Sequence, residues 1–104
     1  MIREIDVTEL ESRGVTPLID VREVDEYEAG HVPGAVLVPL STVPSADLAE
    51  FKGSVLHVIC KSGGRSMRAC EFLADAGFDV VNVAGGTMAW IASGRTVIEG
   101  PFPS

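Results

Sequence analysis

The sequence predicts an α/β fold in which a mainly parallel sheet carries helices on both faces. Two observations lead there. Short apolar runs alternate with helix-like segments from one end of the chain to the other, the βαβ rhythm of parallel sheets. No internal repeat, linker or low-complexity segment interrupts that rhythm, so residues 1–104 read as one domain, within the commonest domain size of roughly 100–150 residues.

The elements follow in order. Ile2 to Ile5 reads as a short first strand, and Thr8-Glu9-Leu10-Glu11 as a capping box opening a short helix. Pro17-Leu18-Ile19-Asp20-Val21 has the composition of a buried strand. Glu23 to Ala29 follows as a brief acidic helix stopped by Gly30. Ala35 to Val38 makes a third strand, and Pro44 to Phe51 a third helix with proline near its first turn. Ser54 to Cys60 is β-branched and ends abruptly in Lys61-Ser62-Gly63-Gly64. A helix then spans about Arg65 to Ala76, with Met67, Cys70, Leu73 and Ala74 on one face and Gly77 ending it. Asp79 to Val83 is the last strand and Thr87 to Ala92 the last short helix. The tail from Thr96, with Pro101 and Pro103, reads as loop that can pair or pack only at an edge.

Composition excludes several classes. Fifteen acids against eight bases give a net charge of −7, which disfavours nucleic acid as a partner. No apolar run approaches the roughly 18 residues of a membrane span, and Met1 to Asp6 lacks an apolar secretion core, so a cytoplasmic protein without membrane contact is expected. Two cysteines and two histidines supply neither a disulfide framework nor a zinc-ligand spacing, so no metal is expected. Nothing marks an interface, which leaves a monomer as the default.

The charge is also unevenly placed. Nine of the fifteen acids lie within the first thirty residues, whereas Phe51 to Cys70 contains none and holds Lys52, Lys61, Arg65 and Arg68. An acid-free basic stretch in an acidic chain points to a local anion site.

That stretch contains Cys60-Lys61-Ser62-Gly63-Gly64-Arg65-Ser66, at the end of an apolar strand and the start of a helix. Ligands of open α/β folds bind at such strand-to-helix turns, beyond the carboxyl ends of the strands. Gly63 and Gly64 let the backbone curl so that successive N–H groups face inward. The helix start adds its dipole, and Lys61 and Arg65 add full charge. Each favours a thiolate over a thiol, so the pattern predicts a nucleophilic cysteine in an anion cradle. A structural cysteine closing a strand is the bland alternative, and it leaves the glycines and cations without a purpose.

Four segments in this order resemble the rhodanese-like domain: Asp20-Val21-Arg22 with Glu26-Tyr27, Gly30-His31-Val32-Pro33-Gly34-Ala35, the Cys60 loop, and Asn82-Val83 through Gly85-Gly86 to Trp90. The resemblance covers nearly the whole chain. It implies a five-stranded, largely parallel sheet and a sulfurtransferase in which Cys60 takes a sulfane sulfur from a donor such as thiosulfate. The persulfide then passes its outer sulfur to a thiol, cyanide or a protein acceptor. In that mechanism the amides from Lys61 to Arg65, through Ser62, Gly63 and Gly64, stabilise the persulfide. Lys61 and Arg65 attract the small anionic donor, and Arg22 binds the oxyanion if the fold brings it to the rim. Asp20, at a strand end, reads separately as a supporting residue that orients the loop or caps the next helix. No cofactor beyond the transient persulfide is implied.

Two other readings compete. Cysteine-dependent phosphatases and arsenate reductases of the same architecture use a Cys-x5-Arg loop, one residue longer than Cys60 to Arg65 here, commonly with His before Cys where this chain has Ile59. A tighter ring suits one sulfur atom better than a phosphoryl group. A regulatory rhodanese-like binding module is the other competitor, and retention of Cys60 with its cations counts against it.

The remaining polar and aromatic residues read as structural. Cys70 lies several residues into the helix, about 9 Å along its axis, on the packed face. His31 reads as shaping its Gly-His-x-Pro-Gly loop through ring-to-backbone bonds, and His57 as a strand residue. Tyr27 and Trp90 read as core. Arg68, about one turn beyond the loop, is either a solvated cation or a donor contact.

Overall fold

The computed structural model describes residues 1–104. Strands β1 (Arg3–Ile5), β2 (Leu18–Asp20), β3 (Val36–Leu37), β4 (Val55–Ile59) and β5 (Asp79–Val83) form one sheet in the order β1-β5-β4-β2-β3. All four neighbouring pairs are parallel. The helices are α1 (Val7–Ser12), α2 (Val24–Ala29), α3 (Gly64–Asp75) and α4 (Gly86–Ala92). The α/β, helix-covered sheet expected from the alternation is therefore the fold.

The strand order positions the site. From β2 the chain moves outward to β3, returns to lay β4 on the other side of β2, and then proceeds to β5. The direction of winding thus reverses between β2 and β4, and their carboxyl ends open a crevice there. Asp20 and Ile59 are register partners, and the Val21 amide donates to the Ile59 carbonyl at 3.0 Å. The residues that leave the two strands, Val21-Arg22 and Cys60-Lys61, consequently emerge side by side.

Strand parity divides the core. Leu56, Val58 and Cys60 face one side, where they pack with Ile19, Ala69, Cys70 and Leu73 under α3. Ile59 faces the other, with Val83 of β5 and with Leu10, Tyr27 and Trp90 from α1, α2 and α4. His57 shares that second parity and is buried without being apolar. Its Nε2 accepts from Arg13 at 2.9 Å, and its Nδ1 meets the Pro17 carbonyl at 3.0 Å. Burial holds this ring below its usual pKa, so it serves as a neutral structural link.

Three local expectations need correction. The cap of α1 is Asp6, whose carboxylate accepts from the Glu9 amide at 2.9 Å; Thr8 lies inside the helix. The helix expected over 44–51 is two short 3-10 turns, Leu40–Ser45 and Ala49–Phe51. Thr42, Ser45 and Asp47 bond their own neighbouring backbone there, in competition with an α-helical ladder, and Pro44 removes a donor. On α3 the buried stripe is Ser66, Ala69, Cys70 and Leu73, with Ala74 exposed. Gly30 ends α2 as expected, with extended backbone (φ 162°), and a Cβ there would meet Val97 at 3.2 Å.

Val97 belongs to the tail, which folds back over α2. His31 and Ile98 exchange two backbone hydrogen bonds of 2.9 Å as an isolated antiparallel bridge. The His31 ring meets the Tyr27 and Phe102 carbonyls at 2.8 Å each and stacks on Tyr27, in keeping with its loop-shaping reading. No helix is long and apolar enough to cross a membrane.

Candidate active site

Cys60 leaves β4 at the crevice with a residue exposure of only 1%. Its parity aims Sγ toward α3, where it accepts from the Gly63 amide at 3.1 Å and the Ser66 hydroxyl at 3.2 Å. Gly63 makes this possible with φ of 116°, a left-handed conformation that turns the chain back over the sulfur. Burial pushes the thiol up, as it would any cysteine. The Ser66 hydroxyl, followed by the amides of Ser66, Gly63 and Ser62, outweighs it and leaves Cys60 below the ordinary thiol range.

The loop is held from outside at three places. Thr87 and Met88, opening α4, donate amides to the Cys60 and Lys61 carbonyls at 2.9 Å each. This contact requires glycine at position 86, because a Cβ would stand 2.5 Å from the Cys60 oxygen and 2.6 Å from that of Lys61. Asn82, at the end of β5, donates to the Gly63 carbonyl at 3.3 Å while also reaching Glu4 at 2.8 Å. Glu26 on α2 grips Arg65 through two bonds of 2.7 and 2.8 Å. That guanidinium holds the Glu26 carboxyl down at about 2.

The structure thus brings the expected residues together and revises how they are used. Arg65 does reach the loop, but its fork is occupied by Glu26, so its charge is largely balanced. Arg22 lies in a wall of the crevice at 5% exposure rather than at a rim. Asp20 accepts its Nε and Nη2 at 2.8 to 3.1 Å, and the Gly30 carbonyl takes Nη2 at 2.9 Å. Asp20 therefore shapes the β2–α2 turn through Arg22, with a further bond from the Arg22 amide, and makes no bond to the Cys60 loop. Lys61 is exposed and joins none of the ion pairs. Arg68 borders a separate depression with Leu40, Pro44 and Phe72.

Sequence reasoning passed over Ser66, Glu26, Asn82 and Gly86 as site residues. A serine six positions after the cysteine was a readable signal, since the first turn of a following helix returns it toward the strand end. The other three act across distant elements. Cys70 is buried and without such donors, and burial pushes its thiol up to about 12. A larger apolar cleft, about 420 Å3, borders the entry to β2 with Leu10, Val32 and Trp90, at the opposite end of the strands from Cys60.

Comparison with known proteins identifies the family of the fold. The profile of the rhodanese-like domain matches residues 6–93, and the chain belongs to that family. It is 44% identical over 73 residues to the "Putative sulfurtransferase YtwF" of Bacillus subtilis, covering 70% of this chain and 71% of that protein. It is 31% identical over 103 residues to a sulfurtransferase of Allochromatium vinosum, covering 94% and 96% of the two chains. Among solved structures, a rhodanese-like domain protein from Staphylococcus aureus superposes with a TM-score of 0.85 at 30% identity, over 95% of this chain and 99% of that one.

Proposed function

We propose that the protein is a sulfurtransferase that carries a sulfane sulfur as a persulfide on Cys60. The observation that carries this reading is a buried sulfur whose partners are the hydroxyl of Ser66 and the amide of Gly63. Those donors favour thiolate before the reaction and hold the terminal anion of a persulfide after it. With thiosulfate as donor, the Cys60 thiolate attacks the outer sulfur and a new S–S bond forms. The donor's S–S bond breaks, its electron pair leaving as sulfite. A thiol or cyanide, or a thiolate on a protein acceptor, then attacks the outer persulfide sulfur and returns the thiolate to Cys60.

Lys61 is the free cation that draws an anionic donor to the loop. Ser62, Gly63 and Gly64 supply the curve of the cradle, and Arg65 fixes its far end through Glu26. Asp20 and Arg22 support the neighbouring wall. The chemistry needs neither metal nor organic cofactor. The similarity to proteins named sulfurtransferases supports the same reading, as does a loop one residue shorter than a phosphate-binding Cys-x5-Arg ring.

Intact-mass measurement after thiosulfate exposure tests it. The wild-type chain gains one sulfur atom, removable by cyanide, and Cys60→Ser gains none. Absence of that adduct, or its persistence in Cys60→Ser, overturns the proposal.

A further inference from the structure

The Ser66 hydroxyl stands between two acceptors. Its Oγ lies 3.2 Å from Cys60 Sγ and 3.1 Å from the Gly63 carbonyl oxygen. A hydroxyl has one proton to donate, so sulfur and carbonyl compete for it. How far Ser66 favours the thiolate therefore depends on how well other donors satisfy the Gly63 carbonyl. Two reach that oxygen: the Met67 amide at 3.1 Å and the Asn82 side-chain amide at 3.3 Å. The first is ordinary backbone of the opening turn of α3. The second arrives from the end of β5.

Asn82 is fully buried. Its register partners are Val58 on β4 and Glu4 on β1, so it stands on the α3 face of the sheet, the face that Cys60 also uses. Its Nδ2 meets the Glu4 carboxylate at 2.8 Å as well as the Gly63 carbonyl. Both partners are acceptors, so only the nitrogen of the amide can face them, and its orientation is fixed. The oxygen on the other side, Oδ1, bonds to nothing in the protein, an uncommon state for a buried amide. An asparagine held inside the sheet with its oxygen unpaired points to a use for its nitrogen. The charged groups around the loop do not substitute for it. Asp20–Arg22 and Glu26–Arg65 are closed pairs, Lys61 is exposed, Glu4 lies behind Asn82, and none of them bonds Sγ.

We propose that Asn82 is a positioning residue that acts on Cys60 through Ser66. By donating to the Gly63 carbonyl it leaves the Ser66 proton for the sulfur, and Glu4 keeps the amide turned to that task. Without Asn82 the carbonyl draws the Ser66 proton away, and the thiolate loses its side-chain donor although Ser66 is still present. The role deepens the persulfide reading of Cys60 and rests on it for its use in sulfur transfer.

A double-mutant cycle on the thiolate absorbance titration tests this, because a merely structural role for Asn82 would not depend on Ser66. Asn82→Leu removes the amide at nearly constant volume, and Asn82→Ala removes it without bulk against the loop; urea unfolding establishes that each variant is folded. With Ser66 present, both are expected to raise the midpoint by about half a unit or more, roughly threefold in the ionisation constant. In the Ser66→Ala background the same substitutions are expected to leave the midpoint unmoved. No rise with Ser66 present overturns the proposal. An equal rise in both backgrounds also overturns it, since Asn82 would then act through the loop amides. Sulfur loading from thiosulfate, read by intact mass, is measured alongside. A wild-type protein that fails to load overturns the sulfurtransferase reading, whereas the dependence of the Asn82 shift on Ser66 stands or falls on the titration.

Discussion

Cys60 and Cys70 are equally hidden sulfurs with opposite chemistry. Burial raises both thiols, and Cys70, without compensating donors, reaches about 12. Cys60 falls below the ordinary range because Ser66 and the loop amides point at its sulfur. Ser66 therefore controls the ionisation rather than the position of Cys60. A hydrogen bond to a charged group is worth about 1.5–3 kcal/mol, and about 1.4 kcal/mol moves a pKa by one unit. Because this bond lowers the pKa, its removal moves thiolate formation to higher pH. Ser66→Ala is expected to raise the midpoint of the thiolate absorbance titration by about one unit or more, with Ser66→Thr restoring much of the shift. An unmoved midpoint would return the effect to the amides alone.

Between elements, the loop is kept in place by α2 and α4. Gly86 has φ of 59° and lies where a side chain would strike the Cys60 and Lys61 carbonyls. Gly86→Ala must push α4 off the loop, with an expected loss of stability of about 2 kcal/mol or more and a larger loss of sulfur loading. Urea unfolding alongside the loading assay measures both, and a variant matching wild type in each would remove α4 from the account. The α2–α3 tie predicts an acid response. Glu26 is held at about 2 against 4.5 for the free side chain, so its contribution is complete above 4.5. That contribution is lost progressively as pH falls toward 2. Urea unfolding from pH 6 down to about 3 is expected to show a shallower decline in Glu26→Gln than in wild type; identical slopes would contradict it.

At the scale of the molecule, the tail completes the fold. Besides the His31–Ile98 bridge, Gly34 donates to the Pro103 carbonyl at 3.0 Å and Gly100 to that of Glu28 at 2.8 Å. Val97 covers Gly30, so the tail closes the edge of α2, whose Glu26 holds Arg65. Deleting residues 97–104 is expected to cost about 2 kcal/mol, or roughly 10 °C in the melting midpoint of a domain this size. An unchanged melting temperature would show the contacts to be superficial. The larger cleft lies at the opposite strand ends, away from the chemistry proposed for Cys60. The winding reversal between β2 and β4 places Cys60 elsewhere.

Much of this was legible in the chain itself. The βαβ alternation determined the class, the boundaries of β5 followed from Asp79 to Val83, and Cys60 stood out from its glycines, cations and strand-end position. Those are local signals: hydrophobic period, turn residues and charges within a few positions. Local propensity failed where side chains had alternatives, at Asp6 against Thr8 as a cap and over 44–51, where short polar side chains broke up the expected α-helix. Pairings across long separations were not legible. Glu26 meets Arg65 thirty-nine residues away, and Asn82 reaches Gly63 nineteen away. Gly86 owes its constraint to carbonyls at 60 and 61. The sequence by itself marked Cys60 as the candidate nucleophile and determined the class of fold that bears it. Only the tertiary structure decided which charges remain free to act, because an ion pair depends on three-dimensional proximity that no spacing along the chain encodes.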